Sequence, residues 1–253
     1  MNDRGAGAKH GRQGVERCGM ARAPRTIDAI SREVVACRRC PELVAYRETV
    51  AREKRRAYRD ETYWGKPVPA FGDPNARIVL IGLAPGAHGS NRTGRMFTGD
   101  GSGEWLYRAL HRAGLASQST WQRADDGQVL HDTLITAAVR CAPPANKPTP
   151  TEQARCFPYL EAEFAALHDV RVVVTLGKIA DDAFHRLVKL HGTYRSPRAK
   201  FAHGAETPIG LPNSPQALVL ASYHPSRQNT QTGVLTEAML DAIFARARAI
   251  AEK

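Results

Sequence analysis

Arg77-Ile78-Val79-Leu80-Ile81-Gly82, running straight into Leu83-Ala84-Pro85-Gly86-Ala87-His88-Gly89, is the stretch that decides the fold. Its apolar residues are consecutive rather than alternating, as in a short strand buried on both faces of a parallel sheet. The glycine-rich turn behind it lets backbone come close to a ligand. Three further runs share the buried pattern, at 133–139, 172–176 and 218–222. Helical periodicity fills the gaps: around 104–113, over 151–167 with Thr151 as N-cap, over 178–190, and from about 236 with Leu240, Ile243 and Phe244 as the apolar face. Residues 191–216 read as a Gly/Pro loop. Strands alternating with helices predict an α/β fold, a three-layer α/β/α arrangement around a central, mainly parallel four-stranded sheet.

Ahead of the first strand, Ile27, Ile30, Val34 and Val35 recur at helical spacing and lead into Cys37. Residues 51–59 (AREKRRAYR) read as a basic helical stretch. Residues 1–25 lack apolar periodicity and are expected to form a disordered basic tail, with translation starting at Met20 as one hypothesis. The remainder, 26–253, is expected to be a single domain.

The chain carries 36 Lys+Arg against 25 Asp+Glu, a formal charge of +11 spread along its length. Such an excess steers association with polyanions, nucleic acid first. No run approaches the roughly 18–20 apolar residues of a membrane span. The N-terminus has no apolar core segment of a secretory signal. The expectation is a cytoplasmic protein with no membrane partner, whose cysteines are not structural disulfides.

In parallel sheets, sites gather at the carboxyl ends of strands. The distinctive loops, 83–101, 140–150 and 223–233, all follow strands. The first has neither the Lys-Ser/Thr of a P-loop nor a G-x-G-x-x-G spacing, but it holds Phe97, an apolar ring in a polar loop that suits stacking on a planar base. The last, Tyr223-His224-Pro225-Ser226-Arg227-Gln228-Asn229, offers polar side chains able to meet phosphate or base edges. Cys37 and Cys40 form a C-x2-C pair, with Cys141 and Cys156 about a hundred residues on and Cys18 left over in the tail. Four thiolates could hold one centre, and spacing alone leaves zinc and iron–sulfur both open.

Together, GLAPGAHGSNRTGRMFTGDGSG (82–103), VRCAPPANKPTP (139–150) and YHPSRQN (223–229) resemble, in that order, the uracil-DNA glycosylase superfamily, specifically its family 5 or type B. The likeness runs from about Ile30 to the C-terminus. It implies a monofunctional base-excision repair glycosylase that flips uracil out of DNA, cuts the N-glycosidic bond and leaves an abasic site. No lysine stands as an obvious Schiff-base nucleophile, so strand cleavage is not expected. By analogy, Cys37, Cys40, Cys141 and Cys156 ligate a [4Fe-4S] cluster. His224 corresponds to the residue that hydrogen-bonds the uracil oxygen, Phe97 to the aromatic stacked on the base, and Asn146 to an Asn of the base pocket, which Gly82 and Ala84 also line. Ser226, Arg227, Gln228 and Asn229 correspond to the minor-groove wedge, with Arg92 and Arg95 expected to meet DNA.

Two positions depart from related families: Ala84 replaces the usual water-positioning Asp or Asn, and Ala137 a uracil-reading Asn. Asn91 or Asp100 is the expected substitute for positioning water. Small residues at Gly86 and Ala87 imply a roomy pocket that accepts larger deaminated bases such as hypoxanthine. The substrate would be double- or single-stranded DNA containing such bases, and the protein a monomer. The rival readings are a non-enzymatic, zinc-stabilised nucleic-acid-binding protein and a nucleotide hydrolase or transferase.

Overall fold

The computed structural model describes residues 25–253. The expected tail, with Cys18 and the Met20 start, lies outside the described residues except for Arg25, which pairs with Glu33. Thr26 caps α1 (Ile27–Val35) by accepting from the Ala29 amide, and Ile27, Ile30 and Val34 form its buried stripe. The basic stretch is not one helix: α2 (Pro41–Glu53) stops at Lys54, which takes a left-handed φ of 54°, and only a 3-10 turn, Arg56–Tyr58, follows.

The four expected parallel strands are β2 (Ile78–Gly82), β3 (Thr133–Ala137), β4 (Val172–Leu176) and β7 (Ser214–Ser222). They stand in the order β3-β2-β4-β7 with parallel register throughout. Three antiparallel strands widen the sheet to seven: β1 (Phe71–Gly72) beyond β3, then β6 (Glu206–Leu211) and β5 (Thr193–Tyr194) beyond β7. The segment expected as a Gly/Pro loop therefore holds β5, β6 and the start of β7. Its residues alternate partly buried with buried at one edge of the sheet, a weaker signal than a continuous apolar run.

Helices α4 (Gly101–Arg112) and α8 (Glu237–Ala251) cover one face, their Leu106, Leu110, Leu240 and Phe244 meeting Ile78, Leu80, Val172 and Val174. On the other face, Phe157, Leu160 and Phe164 of α5 (Pro150–Ala166) and Phe184 and Val188 of α6 (Lys178–His191) meet Val79, Ile81 and Val173. Successive strand residues point to opposite faces, so both faces of β2 and β4 must be apolar. The α5 cap is Thr149, not Thr151: Pro150 occupies the first turn, and Thr149 and Glu152 close a reciprocal capping box.

Chain order against strand order fixes the site. β2 connects to β3 on one side, and the chain then returns to β4 on the other, so the crevice between the ends of β2 and β4 is the switch point of the sheet.

Candidate active site

Phe97 and His224 come from different loops and meet over that crevice, ring centroids 5.8 Å apart and 29° from parallel. Each is seated on a glycine at a strand end. A Cβ on Gly82, the last residue of β2, would lie 2.8 and 2.9 Å from the Phe97 ring, and one on Gly177, just past β4, would lie 3.3 Å from the His224 Cβ. Phe97 adopts φ 52°, a conformation that a bulky residue takes only when its surroundings over-determine it. Its carbonyl oxygen packs onto Gly103 in the first turn of α4, where a Cβ would come within 1.8 Å.

His224 is half-buried, and burial pushes its imidazole down to about 4, so the ring is neutral near pH 7. Its carbonyl accepts from the Asn229 side chain at 2.9 Å and from the Ser226 amide at 2.8 Å. Ser226 in turn caps the short helix α7 (Arg227–Gln231). The Ser226 amide and the Asn229 side chain, from two residues expected to meet DNA, thus hold the His224 backbone. Arg227 and Gln228 are exposed, and Arg227 reaches Gly101 at the start of α4, joining the two loops.

The arginines of the first loop do not face outward as expected. Arg92 is 7% exposed: it donates to the carbonyls of His88 at 2.8 Å and Gly99 at 3.0 Å, pairs with Glu61 and lies 4.0 Å over the Tyr58 ring. Arg95 is buried, forked onto Asp126 at 2.6 and 2.8 Å and bonded to Thr98 at 2.7 Å. A guanidinium has a fork of donors, and a loop with few apolar residues gains rigidity by taking them inward.

Asn91 is fully buried, its amide nitrogen shared between the carbonyls of Arg47 and Ala87. That interior tie corrects the expectation that it positions water. Asp100 remains at the rim. Its Oδ1 caps α4 by accepting from Ser102 and Gly103, while Oδ2 lies against Gly86 and Gly89, where added Cβ atoms would be 2.7 and 2.2 Å away. Burial raises its pKa above the usual carboxylate value, against the helix amides and Arg92. Ala84 packs towards Cys40, Leu43, Val139 and Cys141. Ala137 is buried at the end of β3, in register with Gly82. Asn146 is exposed at φ 54°, directly after Ala145 at φ 51°, so its side chain is presented from a bent turn at the end of the β3 loop.

Cys37, Cys40, Cys141 and Cys156 line one small cavity, walled by Leu43, Val139 and Tyr159. No group of three or more His, Cys, Asp or Glu among the described residues is arranged to hold a single metal ion. The two arginines between Cys37 and Cys40 are engaged elsewhere: Arg38 pairs with Glu48 and Arg39 lies over Tyr159. Burial dominates instead, raising Cys40 and pushing Cys141 up to about 11 and Cys156 up to about 12. Arg39, Arg140 and Arg155 line the cavity, and a further cation that the sequence did not single out lies beside Cys141. Arg47, 2% exposed, donates to Cys141 Sγ at 3.0 Å, and its Nε has no partner. The Asp100 cap had a sequence signal, a lone Asp one residue before an amphipathic helix. Arg47 had none, because a helical arginine reads as solvated.

The model of the family described as the uracil DNA glycosylase superfamily matches residues 69–248. A type-5 uracil-DNA glycosylase of Thermus thermophilus is 52% identical over 88% of this chain and 98% of its own. Proteins of the same description from Mycobacterium tuberculosis and Mycobacterium leprae are 49% identical (86% of this chain, 79% of theirs) and 46% identical (89% and 96%). With loops, rim and strand order as described, the chain belongs to the uracil-DNA glycosylase superfamily, among its type-5 members.

Proposed function

We propose that this chain excises uracil from DNA by hydrolysing the N-glycosidic bond, leaving an abasic site, and that it does so as a monomeric unit spanning residues 26–253 in the cytoplasm. The observation that carries the reading is the Phe97–His224 pair, buttressed by Gly82 and Gly177 at the switch point of the sheet. Relatives named type-5 uracil-DNA glycosylases, at up to 52% identity, support it. No helix among the described residues is long and apolar enough to cross a membrane.

A duplex base must be extruded before its glycosidic bond can be reached, at a cost of a few kcal/mol. Phe97 takes the face of the flipped base. His224, neutral and held by Asn229, donates to the base oxygen on which negative charge grows as the bond breaks. One such pre-aimed donor lowers the barrier by about 3–4 kcal/mol. Asp100 is the remaining group to hold the attacking water, since Asn91 is tied inside. Arg227 and Gln228 are the exposed residues placed to fill or flank the gap in the duplex. The small Ala87 and Gly86 favour acceptance of hypoxanthine as a second substrate, although the Asp100 carboxylate occupies the space beside Gly86.

The four cysteines fit an iron–sulfur cluster. They share one cavity without closing on a single ion, and the buried Arg47 guanidinium beside them needs an anion that the half-exposed Glu48, 3.7 Å away, only partly supplies. Thiolates on a [4Fe-4S] cluster provide that charge. The cluster would cross-link α2 to the sheet and take no part in the chemistry.

Incubation with uracil- and inosine-containing duplexes, followed by hot alkali, tests the reading. Alkali-labile cleavage at the damaged base, insensitive to EDTA, is expected; intact strands with both duplexes would overturn it.

A further inference from the structure

The function above leaves unused the most basic stretch of the chain, and the structure fastens that stretch to the loop carrying Phe97. Tyr63 Oη bonds His88 Nδ1 at 3.1 Å and accepts from the Arg55 amide at 3.4 Å. The Trp64 and Gly65 amides donate to the carbonyls of Arg92 at 2.8 Å and Asn91 at 3.0 Å. Arg92 stacks on Tyr58 and pairs with Glu61. Residues 55–65 are thus laminated to residues 88–92 through backbone, aromatic and ionic contacts at once.

On the outer side of this brace, Arg55 and Arg56 are exposed. No ion pair joins Arg55 or Arg56 to the exposed Glu53 among the described residues, and the acids that follow are engaged elsewhere: Glu61 by Arg92, and Asp60 by Arg59 at 3.8 Å. Lys54 is turned onto the Arg59 carbonyl at 3.1 Å, closing the turn. The charge of Arg55 reaches the first loop, adding to burial in holding the His88 imidazole below its usual value. The groove between the brace and the start of α4 is lined by Asp60, Glu61, Asp100, Glu104 and Asp125 beside Arg92 and Arg123, so phosphate is met outside it, at Arg55 and Arg56. Two adjacent solvated guanidinium groups repel each other, and a polyanion relieves that repulsion.

We infer that Arg55 and Arg56 form a phosphate clamp that grips the DNA backbone beside the loop carrying Phe97. The inference rests on the reading of this chain as a DNA glycosylase, and its binding test is independent of excision. The brace makes the clamp rigid with respect to Phe97, so gripping the backbone sets the position of the base loop. The contact is with phosphate and is blind to sequence and to damage.

The test uses the full chain and a fluorescent, uracil-free duplex, with anisotropy measured across a series of KCl concentrations. Arg55→Ala/Arg56→Ala is expected to bind roughly tenfold more weakly and to lower the slope of log K against log salt by about 2, near 0.9 per phosphate lost. Arg55→Lys/Arg56→Lys should restore the slope, and Lys189→Ala, in the last turn of α6, should leave it unchanged. Single-turnover excision of uracil at sub-saturating enzyme should fall by about the same tenfold and recover in the double lysine variant. An unchanged affinity and slope in the double alanine variant, with an unaltered melting temperature, overturns the clamp. A slope restored by lysine in a protein that excises nothing keeps the clamp and overturns the glycosylase reading.

Discussion

Phe97 and His224 stack 5.8 Å apart over the crevice between β2 and β4. Optimal contact between two faces is about 3.5–4.0 Å, so a planar base slotted between the rings would need nearly twice that and does not fit. The base must take one face of Phe97 while His224 addresses its edge, which suits a donor aimed at a carbonyl oxygen and not at the ring. Replacing His224 with Ala is therefore expected to slow single-turnover excision by about 10²–10³, the cost of one oxyanion-type donor. Affinity for uracil-free duplex should remain, and a parallel loss of both would point to a disrupted loop.

The glycines beneath Phe97 separate two outcomes within one helical turn. Gly103→Ala would place a Cβ 1.8 Å from the Phe97 carbonyl oxygen, which is backbone and cannot swing away. Destabilisation of about 1–3 kcal/mol is expected, with loss of excision as Phe97 shifts. Gly101→Ala meets only the Arg227 Cγ, at 3.5 Å, an ordinary contact. That variant should be neutral or slightly more stable through a less flexible unfolded chain. Thermal melts of the two proteins side by side decide the matter.

Two groups at the site titrate away from their ordinary values in opposite directions. His224 falls from 6.5 to about 4; the unfolded chain then binds the extra proton between those values, so stability is lost as pH falls from about 6.5 towards 4. His224→Asn should flatten that part of the stability profile. Asp100 is raised by burial, so the acid limb of excision should lie above the usual carboxylate value, and Asp100→Asn should remove it. An acid limb near 6.5 that survives in Asp100→Asn would contradict both assignments.

Arg92 and Arg95 hold the first loop from within. Arg95→Ala strips the bidentate partner from Asp126 and is expected to cost about 3–5 kcal/mol, as for a buried pair losing one member. The salt dependence of DNA binding by any folded fraction should not change. A reduced slope with an unaltered melting temperature would return these arginines to the DNA surface.

The cysteine cavity makes a spectroscopic prediction. Protein purified without oxygen should be brown and carry about four irons, following from a [4Fe-4S] assignment to four thiolates. Arg47→Met then serves as a charge probe. With an anionic cluster present the substitution should destabilise the protein and hasten iron loss to a chelator; with neutral thiols alone, removing a buried cation that meets Glu48 only at 3.7 Å should be neutral or stabilising. Colourless protein with one zinc would discard the cluster.

Much of the framework was legible because its cause is local. Four consecutive-apolar runs became the four parallel strands, since only strands buried on both faces tolerate that pattern. The last helix, expected from about 236, starts at Glu237. The two edge strands within 191–216 were missed because an edge buries one face partly and leaves no apolar run. The α5 cap slipped two residues because Pro150 could read as approach or as first turn.

At the site, residue types were legible and directions were not. Sequence singled out the loop of Phe97, the loop of His224 and the four cysteines. It also offered Arg92, Arg95 and Asn91 to the ligand, and the fold turned all three inward. Composition cannot tell whether a polar side chain on a glycine-rich loop satisfies the loop's own carbonyls or reaches solvent.

By itself, the order of apolar runs and turns determined the layered parallel sheet and the rim at which its loops collect, because burial on two faces and strand connectivity are written in local pattern. Only the tertiary structure decided which of those loop residues meet. Phe97 faces His224 because Gly82 and Gly177 admit close approach between segments far apart in the chain, and Arg47 faces Cys141 because Leu43 of α2 packs on Val139. No local preference carries that information.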